Sequence, residues 1–391
     1  MNNQIEIYLL TLVGFLVGTS QFVIAGILDK ISNTYGISIA TAGQLVTVFA
    51  MASGIGTPLL IMYLARYGLK TQLLIVLSIF LVSTLMTPFA FDFKFLMLAR
   101  IIAGLATSTF VVISYTLAAK LAKVGRQGSA MANIALGFSL SLVFGVPFGR
   151  IVTLQYNWQA IFWILGAGVL VGTALIIWLI PNLFDREPLP MKEQMALFKK
   201  PQVFMTLFVT FMVFIGYSMI STYITPLLLS IGNVTEHQIA MAFLALGIAS
   251  VVGSKLGASM ADRIGIAPIL FGSMGIMILS LGTIPIFATS LLLMVLMLIF
   301  WTASTWMFGP TQSLNLSTIA PEASSTLIGL NSSFVQLGFA AGAGIGGIVI
   351  HTWSVMAINW ISAVSVICAT GIALFSLRFS KSAEIQKTME V

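Results

Sequence analysis

Residues 56–70 read GTPLLIMYLARYGLK, and residues 253–266 read GSKLGASMADRIGI. Each closes an apolar run and follows it with a short basic turn. They lie 197 positions apart (253 minus 56), about half of the 391-residue chain. At that offset Gly56 meets Gly253, Arg66 meets Arg263, Gly68 meets Gly265, Gly145 meets Gly342, Gly149 meets Gly346 and Trp163 meets Trp360. One register held along so much of the chain marks an internal repeat. The same shift places Ser38 on Thr235, both plausible N-caps, with Gln238 completing a capping box in the second copy.

The repeated unit belongs in a bilayer. Hydrophobic residues make up 59% of the chain and charged residues only 7%, too apolar a surface for a water-soluble domain. The mean hydropathy is +1.06. Apolar runs predict helices near 7–28, 41–64, 71–91, 95–119, 128–150, 159–180, 203–230, 238–260, 267–288, 291–316, 325–350 and 355–378. Each is long enough for a hydrocarbon core of about 30 Å. The runs are too long and too continuous for a barrel. The expected fold is an all-α membrane protein of twelve transmembrane helices in two six-helix bundles. Residues 1–180 form the first bundle, 181–202 a linker, 203–380 the second bundle and 381–391 a tail.

Charge placement supplies an orientation. With the N-terminus inside, thirteen lysines and arginines fall on inner segments and only Lys30, Lys94 and Arg150 on outer ones, while Arg100 and Lys255 lie in the membrane. The net charge of +7 then follows from the positive-inside rule, and no nucleic-acid partner is implied. Both termini are expected in the cytoplasm, with the protein in the cell membrane and no cleaved leader. The lone Cys368 cannot form an intramolecular disulfide, and His237, His351 and the scattered acids suggest no metal site, cofactor or catalytic triad.

The turns carry a family resemblance. Asp262, Arg263 and Gly265 match the loop signature of the major facilitator superfamily; Arg66, Gly68 and Lys70 match it in the first half, where Ala65 stands in the acid's place. LMLARIIAGLATSTF, with Arg100 and Gly104, resembles the family's fourth-helix signature. FSLSLVFGVPFGR, with Gly145, Pro147 and Gly149, resembles the fifth-helix signature of the drug/proton antiporter branch. Over nearly the whole chain the sequence resembles bacterial sugar-efflux and purine base/nucleoside-efflux pumps.

The resemblance implies alternating access and export of small organic molecules, purine-like compounds or drugs, in exchange for protons. An uncoupled facilitator or exchanger for sugars or other small metabolites is the alternative. A receptor or enzyme has no supporting motif, and a monomer is expected. Arg66, Gly68, Lys70, Asp262, Arg263 and Gly265 would form gating loops, their arginines bonding helix-end carbonyls or a carboxylate. Gly145, Pro147 and Gly149 would set helix packing, with Pro147 kinking its helix.

All eleven acids lie at helix ends, in loops or in tails. Relatives commonly carry Glu where Gln21 stands and Pro where Asp29 stands, which leaves Gln21 as a hydrogen-bonding group without a proton to exchange. Asp29 is then either half of a proton-coupling pair with Arg100 or, with Lys30, a solvated helix end. Lys255 and Arg150 are expected to snorkel from helix ends. By resemblance, helices 1, 4, 7 and 10 line the cavity, offering Gln21, Thr107, Ser108, Tyr115, Tyr217, Tyr223, Trp306 and Gln312, with Asn331 and Gln336 added from helix 11.

Overall fold

The computed structural model describes residues 4–123, 127–184, 200–319 and 324–389, without the side chains of residues 258, 262, 324, 325 and 377–389. The central part of the expected linker and the side chain of Asp262 lie outside this set.

The described residues are helical, without strands. In chain order they form α1 (Gln4–Gly26), α2 (Leu28–Tyr35), α3 (Ile39–Leu64), α4 (Leu69–Met86) and α5 (Phe93–Leu121). Next come α6 (Gln127–Gln155) and α7 (Gln159–Leu179), then α8 (Pro201–Thr222) and α9 (Ile224–Leu229). The chain finishes with α10 (Glu236–Ile264), α11 (Ile266–Thr283), α12 (Leu291–Ile319), α13 (Ser324–Thr352) and α14 (Ala357–Met389). All except α2 and α9 are long and apolar enough to cross a membrane, twelve spans among the described residues.

The repeat is written into the helix boundaries. A shift of 197 residues carries Leu69 to Ile266, Met86 to Thr283 and Gln155 to Thr352, each a helix end in both copies. The breaks repeat to within one residue of that offset. Ile27 interrupts the first span at φ −122° and ψ 18°, and Tyr223 interrupts the seventh at φ −108° and ψ 22°. The apolar run 7–28 carries no mark of its break, whereas in 203–230 Pro226 lacks the N–H that would bond the Thr222 carbonyl, where α8 ends.

Caps form where their chemistry is present. The Ser38 hydroxyl accepts from the Thr41 backbone N–H at 3.0 Å. Thr235 and Gln238 close the expected capping box, with Thr235 N–H donating to Gln238 Oε1 at 2.8 Å and Gln238 N–H to Thr235 Oγ1 at 3.3 Å. Asp92 caps α5 by accepting from Phe95 N–H at 2.7 Å. The kink expected at Pro147 takes the form of a π-helical turn at Ser141–Gly145, immediately before it. A wide turn absorbs the donor that proline lacks.

Residues pack into two compact units: Met1–Pro188 with Ser221–Ile248, and Leu189–Ile220 with Ala249–Val391. The first differs from the expected 1–180 bundle by taking in 221–248. Its core joins Leu10, Val13 and Val17 of α1 to Leu73, Leu77 and Phe80 of α4, Phe110 and Leu117 of α5 and Val169 of α7. In hydrocarbon, helices gain little by hiding apolar surface from one another, so close backbone approach holds them. A side chain at Gly104 would strike the Phe49 carbonyl in the first unit; in the second, one at Gly253 would strike the Ala303 carbonyl and one at Gly342 the Ile215 carbonyl.

Gly104→Val must therefore part α3 from α5. We expect it to lower the thermal unfolding midpoint in detergent by the equivalent of about 1–3 kcal/mol. Gly275→Ala, where a methyl meets open space, should leave the midpoint unchanged or raise it through helix propensity.

Candidate functional site

Within the first unit, Arg100 of α5 is fully buried. Its Nη1 donates to the Ser20 carbonyl at 3.1 Å and its Nη2 to the Gln21 carbonyl at 3.5 Å, while the guanidinium lies 4.3 Å from the Phe49 ring centroid. The structure brings Arg100 and Gln21 together through backbone oxygen. It does not bring Asp29 to Arg100.

Asp29 is bound elsewhere. Its Oδ1 accepts from Arg150 Nη1 at 2.5 Å, and Arg150 Nη1 also donates to the Gly26 carbonyl at 2.8 Å. Glu236, the first residue of α10, takes Arg150 Nε at 2.7 Å and Nη2 at 2.5 Å through Oε2. Lys30 completes the group, 2.6 Å from Glu236 Oε1 and 3.9 Å from Asp29 Oδ2. The Arg150 side chain is 0% exposed, against 13% for Asp29 and 34% for Glu236. Its expected snorkelling is thus overturned: two carboxylates and a carbonyl neutralise it where it lies. Lys30 and Asp29 are part of this cluster and no longer read as a bare solvated helix end.

Glycine and small residues set α1 against α6, which brings Arg150 to Asp29. A side chain at Gly145 would meet Thr19, at Gly149 Val23 and at Gly26 Val146, so the packing role expected for Gly145 and Gly149 has a contact partner in α1. Tyr223 closes the same unit, buried with its ring against Gly43. Thr107 is buried, and Ser108, Tyr115 and Gln21 are half-buried.

The second unit gathers the aromatic candidates. The Tyr217 ring stacks on Trp301 with centroids 5.1 Å apart and meets Phe339 edge-on at 5.3 Å. Trp306 Nε1 donates to the Tyr217 hydroxyl at 3.4 Å, and Phe214 stacks on Phe339 at 5.8 Å. Further along α8, Gln312 Nε2 donates to the Thr206 carbonyl at 2.8 Å and to Thr210 Oγ1 at 3.1 Å, while Thr210 Oγ1 donates to Asn331 Oδ1 at 2.8 Å. Gln312 and Asn331 therefore satisfy each other through Thr210, and Gln336 is half-buried on α13. A cavity of about 310 Å³ between α8 and α14, lined by Phe204, Met205, Phe208, Gly371, Ile372 and Phe375, takes in none of the candidates.

The gating turns differ from expectation. The Arg66 guanidinium lies over the rings of Tyr63 at 4.7 Å and Tyr67 at 5.0 Å, so ring faces stand where a carbonyl or carboxylate was expected. Lys70 makes the helix-end bond in its place, from Nζ to the Ile177 carbonyl at 2.7 Å. Gly68 precedes α4, and Gly265 precedes α11 with φ +95°, a backbone that a side chain would strain. Arg263 is exposed. Glu236 and Glu6 are the residues sequence reasoning missed. Glu6 is buried in the first turn of α1 with Oε2 unpartnered. Among the described residues no group of His, Cys, Asp and Glu is arranged to hold a metal.

Twelve apolar spans in two repeated sets, with charged and aromatic groups held inside, define a multi-pass membrane transporter. The Major Facilitator Superfamily model matches residues 10–232 and again 206–388, and the chain belongs to that family. It is 37% identical over 369 residues to YbcL of Bacillus subtilis (strain 168), described as an uncharacterized MFS-type transporter, covering 94% of this chain and 95% of that protein. Among solved structures it is similar to a D-xylose-proton symporter, with a TM-score of 0.80 and 16% identity over 95% of this chain and 97% of that one. The nucleoside transporter NupG gives 0.76 and 14%, over 95% and 99%. A bacterial homologue of the human lysosomal transporter Spinster, inward-facing and unoccupied, gives 0.77 and 15%, over 96% and 97%. The protein is accordingly a transporter and not an enzyme.

The Arg150 cluster makes an ordered prediction. Asp29→Asn combined with Glu236→Gln leaves a buried guanidinium without its anions, and the unfolding midpoint should fall by the equivalent of about 3–5 kcal/mol. Adding Arg150→Met removes the stranded charge and should recover most of that loss, which thermal unfolding of the three proteins would measure.

Proposed function

We propose that the protein exports small, flat organic molecules of purine or drug type across the cell membrane by alternating access, in exchange for protons. Both termini face the cytoplasm and the working unit is a monomer. The observation that carries the substrate class is the set of Tyr217, Trp301, Trp306 and Phe339 rings in the second unit. Stacked and edge-on ring faces with one phenol and one indole N–H suit a planar solute bearing a few polar edges.

Proton exchange is assigned to Asp29. Its carboxylate sits against a fully buried guanidinium, so protonation discharges one of two ion pairs and alters what holds Arg150. Glu236 shares the cation and makes the exchange a property of the pair. Gln21 remains a substrate contact from α1, and Thr107, Ser108 and Tyr115 line the same unit from α5. The loops around Arg66, Gly68, Lys70, Asp262, Arg263 and Gly265 act in gating. The second reading, an uncoupled facilitator or exchanger for sugars, draws on both Asp29 and Glu236 being already paired with cations.

Reconstituted vesicles test both. Under antiport, an imposed pH gradient should speed efflux of a purine or dye at least tenfold, and Asp29→Asn should remove that dependence while leaving exchange at equal pH. Flux indifferent to the gradient selects the facilitator. Trp306→Phe removes the bond to Tyr217 and should weaken substrate binding several-fold, as read by ligand-induced thermal stabilisation.

A further inference from the structure

One face of α5 carries a polar residue every second turn: Arg100, Thr107 and Ser114. A step of seven residues returns to within roughly 20° of the same direction and advances about 10 Å along the axis. All three side chains are buried in the first unit, at 1%, 1% and 0% exposure. Each also holds a polar atom without a hydrogen-bond partner, namely Arg100 Nε, Thr107 Oγ1 and Ser114 Oγ. Protein interiors leave few such atoms unpaired. Three of them in one helical row is a pattern that asks for a ligand.

Arg100 states the sign of that ligand. No carboxylate among the described residues lies within ion-pair distance of it; its neighbours are two carbonyls and a phenyl ring. Carbonyl dipoles lower the cost of the charge without neutralising it, and an unneutralised cation inside a membrane span is expensive. The contrast with Arg150 is internal to the same unit: equally buried, that residue holds two carboxylates. The free Nε of Arg100 adjoins Nη2, and these two N–H groups form the side-on fork that receives a carboxylate with two parallel bonds. Nη2 is engaged only by the Gln21 carbonyl at 3.5 Å, the outer limit of a hydrogen bond. A carboxylate would replace that contact with a much stronger one.

We propose that Arg100 receives the acid group of the transported solute, so that the substrate is a small organic anion, with Thr107 and Ser114 as uncharged donors further along α5. This deepens the reading above and rests on it only in taking the bound solute to be the one carried. It narrows planar solutes to those bearing a carboxylate or an equally compact acid. Gln21 takes on a defined part: an uncharged residue at that position leaves the charge of Arg100 unmet by this chain.

The test uses three probes sharing one ring, benzoate, benzamide and benzyltrimethylammonium, titrated against the full-length protein in detergent with thermal stabilisation as readout. Benzoate should bind at least tenfold more tightly than the other two. Arg100→Gln should lose that preference, and Arg100→Lys should keep part of it. Gln21→Glu supplies a competing acid at residue 21, so it should weaken benzoate at least tenfold at neutral pH. Size-exclusion profiles establish that each variant is folded; if Arg100→Gln is not, Gln21→Glu decides alone. Benzamide or the cation binding as well as benzoate overturns the proposal. So does a folded Arg100→Gln, or Gln21→Glu at neutral pH, that binds benzoate like the parent, or failure of the parent to bind benzoate at millimolar concentration. Benzoate flux indifferent to a pH gradient overturns proton antiport and leaves the Arg100 site standing.

Discussion

A peptide group left unbonded in hydrocarbon costs several kcal/mol, and that constraint shapes the chain before any contact between helices does. It forces every crossing segment to satisfy its own backbone, so irregular stretches are confined to a few places. Ile27 and Tyr223 are two of them, within one residue of matching points of the repeat. Both are buried within the first unit, where protein surrounds the interruption. The same constraint explains the π turn before Pro147: the helix widens locally and its polar groups stay enclosed by protein.

With the backbone satisfied, side-chain polarity is free to be placed for function, and the two buried arginines of the first unit show two ways of placing it. Arg150 is closed electrostatically, its charge met by Asp29 and Glu236 from helices distant in sequence. Arg100 is flanked by the Phe49 ring and two backbone carbonyls, with its charge unmet. Truncating an anion beside the first exposes a buried charge. The second carries such a charge already, with no carboxylate of the described residues beside it.

Much of this was legible in the chain. The 197-residue offset located helix ends because Gly, Ser, Thr and basic residues at span ends act locally, through caps and close approach, and local chemistry reads directly from sequence. The Thr235–Gln238 box came from such reasoning. The Arg150 cluster did not. An arginine near a span end looks like a snorkelling one until Glu236, 86 positions away, is brought against it. Arg66 was misread for a related reason: a motif position names a residue type, while its partner depends on what the chain puts nearby, here the rings of Tyr63 and Tyr67.

The helix breaks were missed for a different reason. Tertiary packing supports both, since Tyr223 packs against Gly43 and Gly26 packs against Val146. The break at Ile27 has no mark in its run, while Pro226, which cannot bond the Thr222 carbonyl, is a local mark of the break at Tyr223. This bears on how the site should be read. The residues that position Asp29 are the small ones of α1 and α6 together with the break at Ile27, which turns α2 so that the carboxylate follows the helix end toward Arg150. The ion pair between Asp29 and Arg150 is therefore set by backbone geometry, through the packing of α1 on α6.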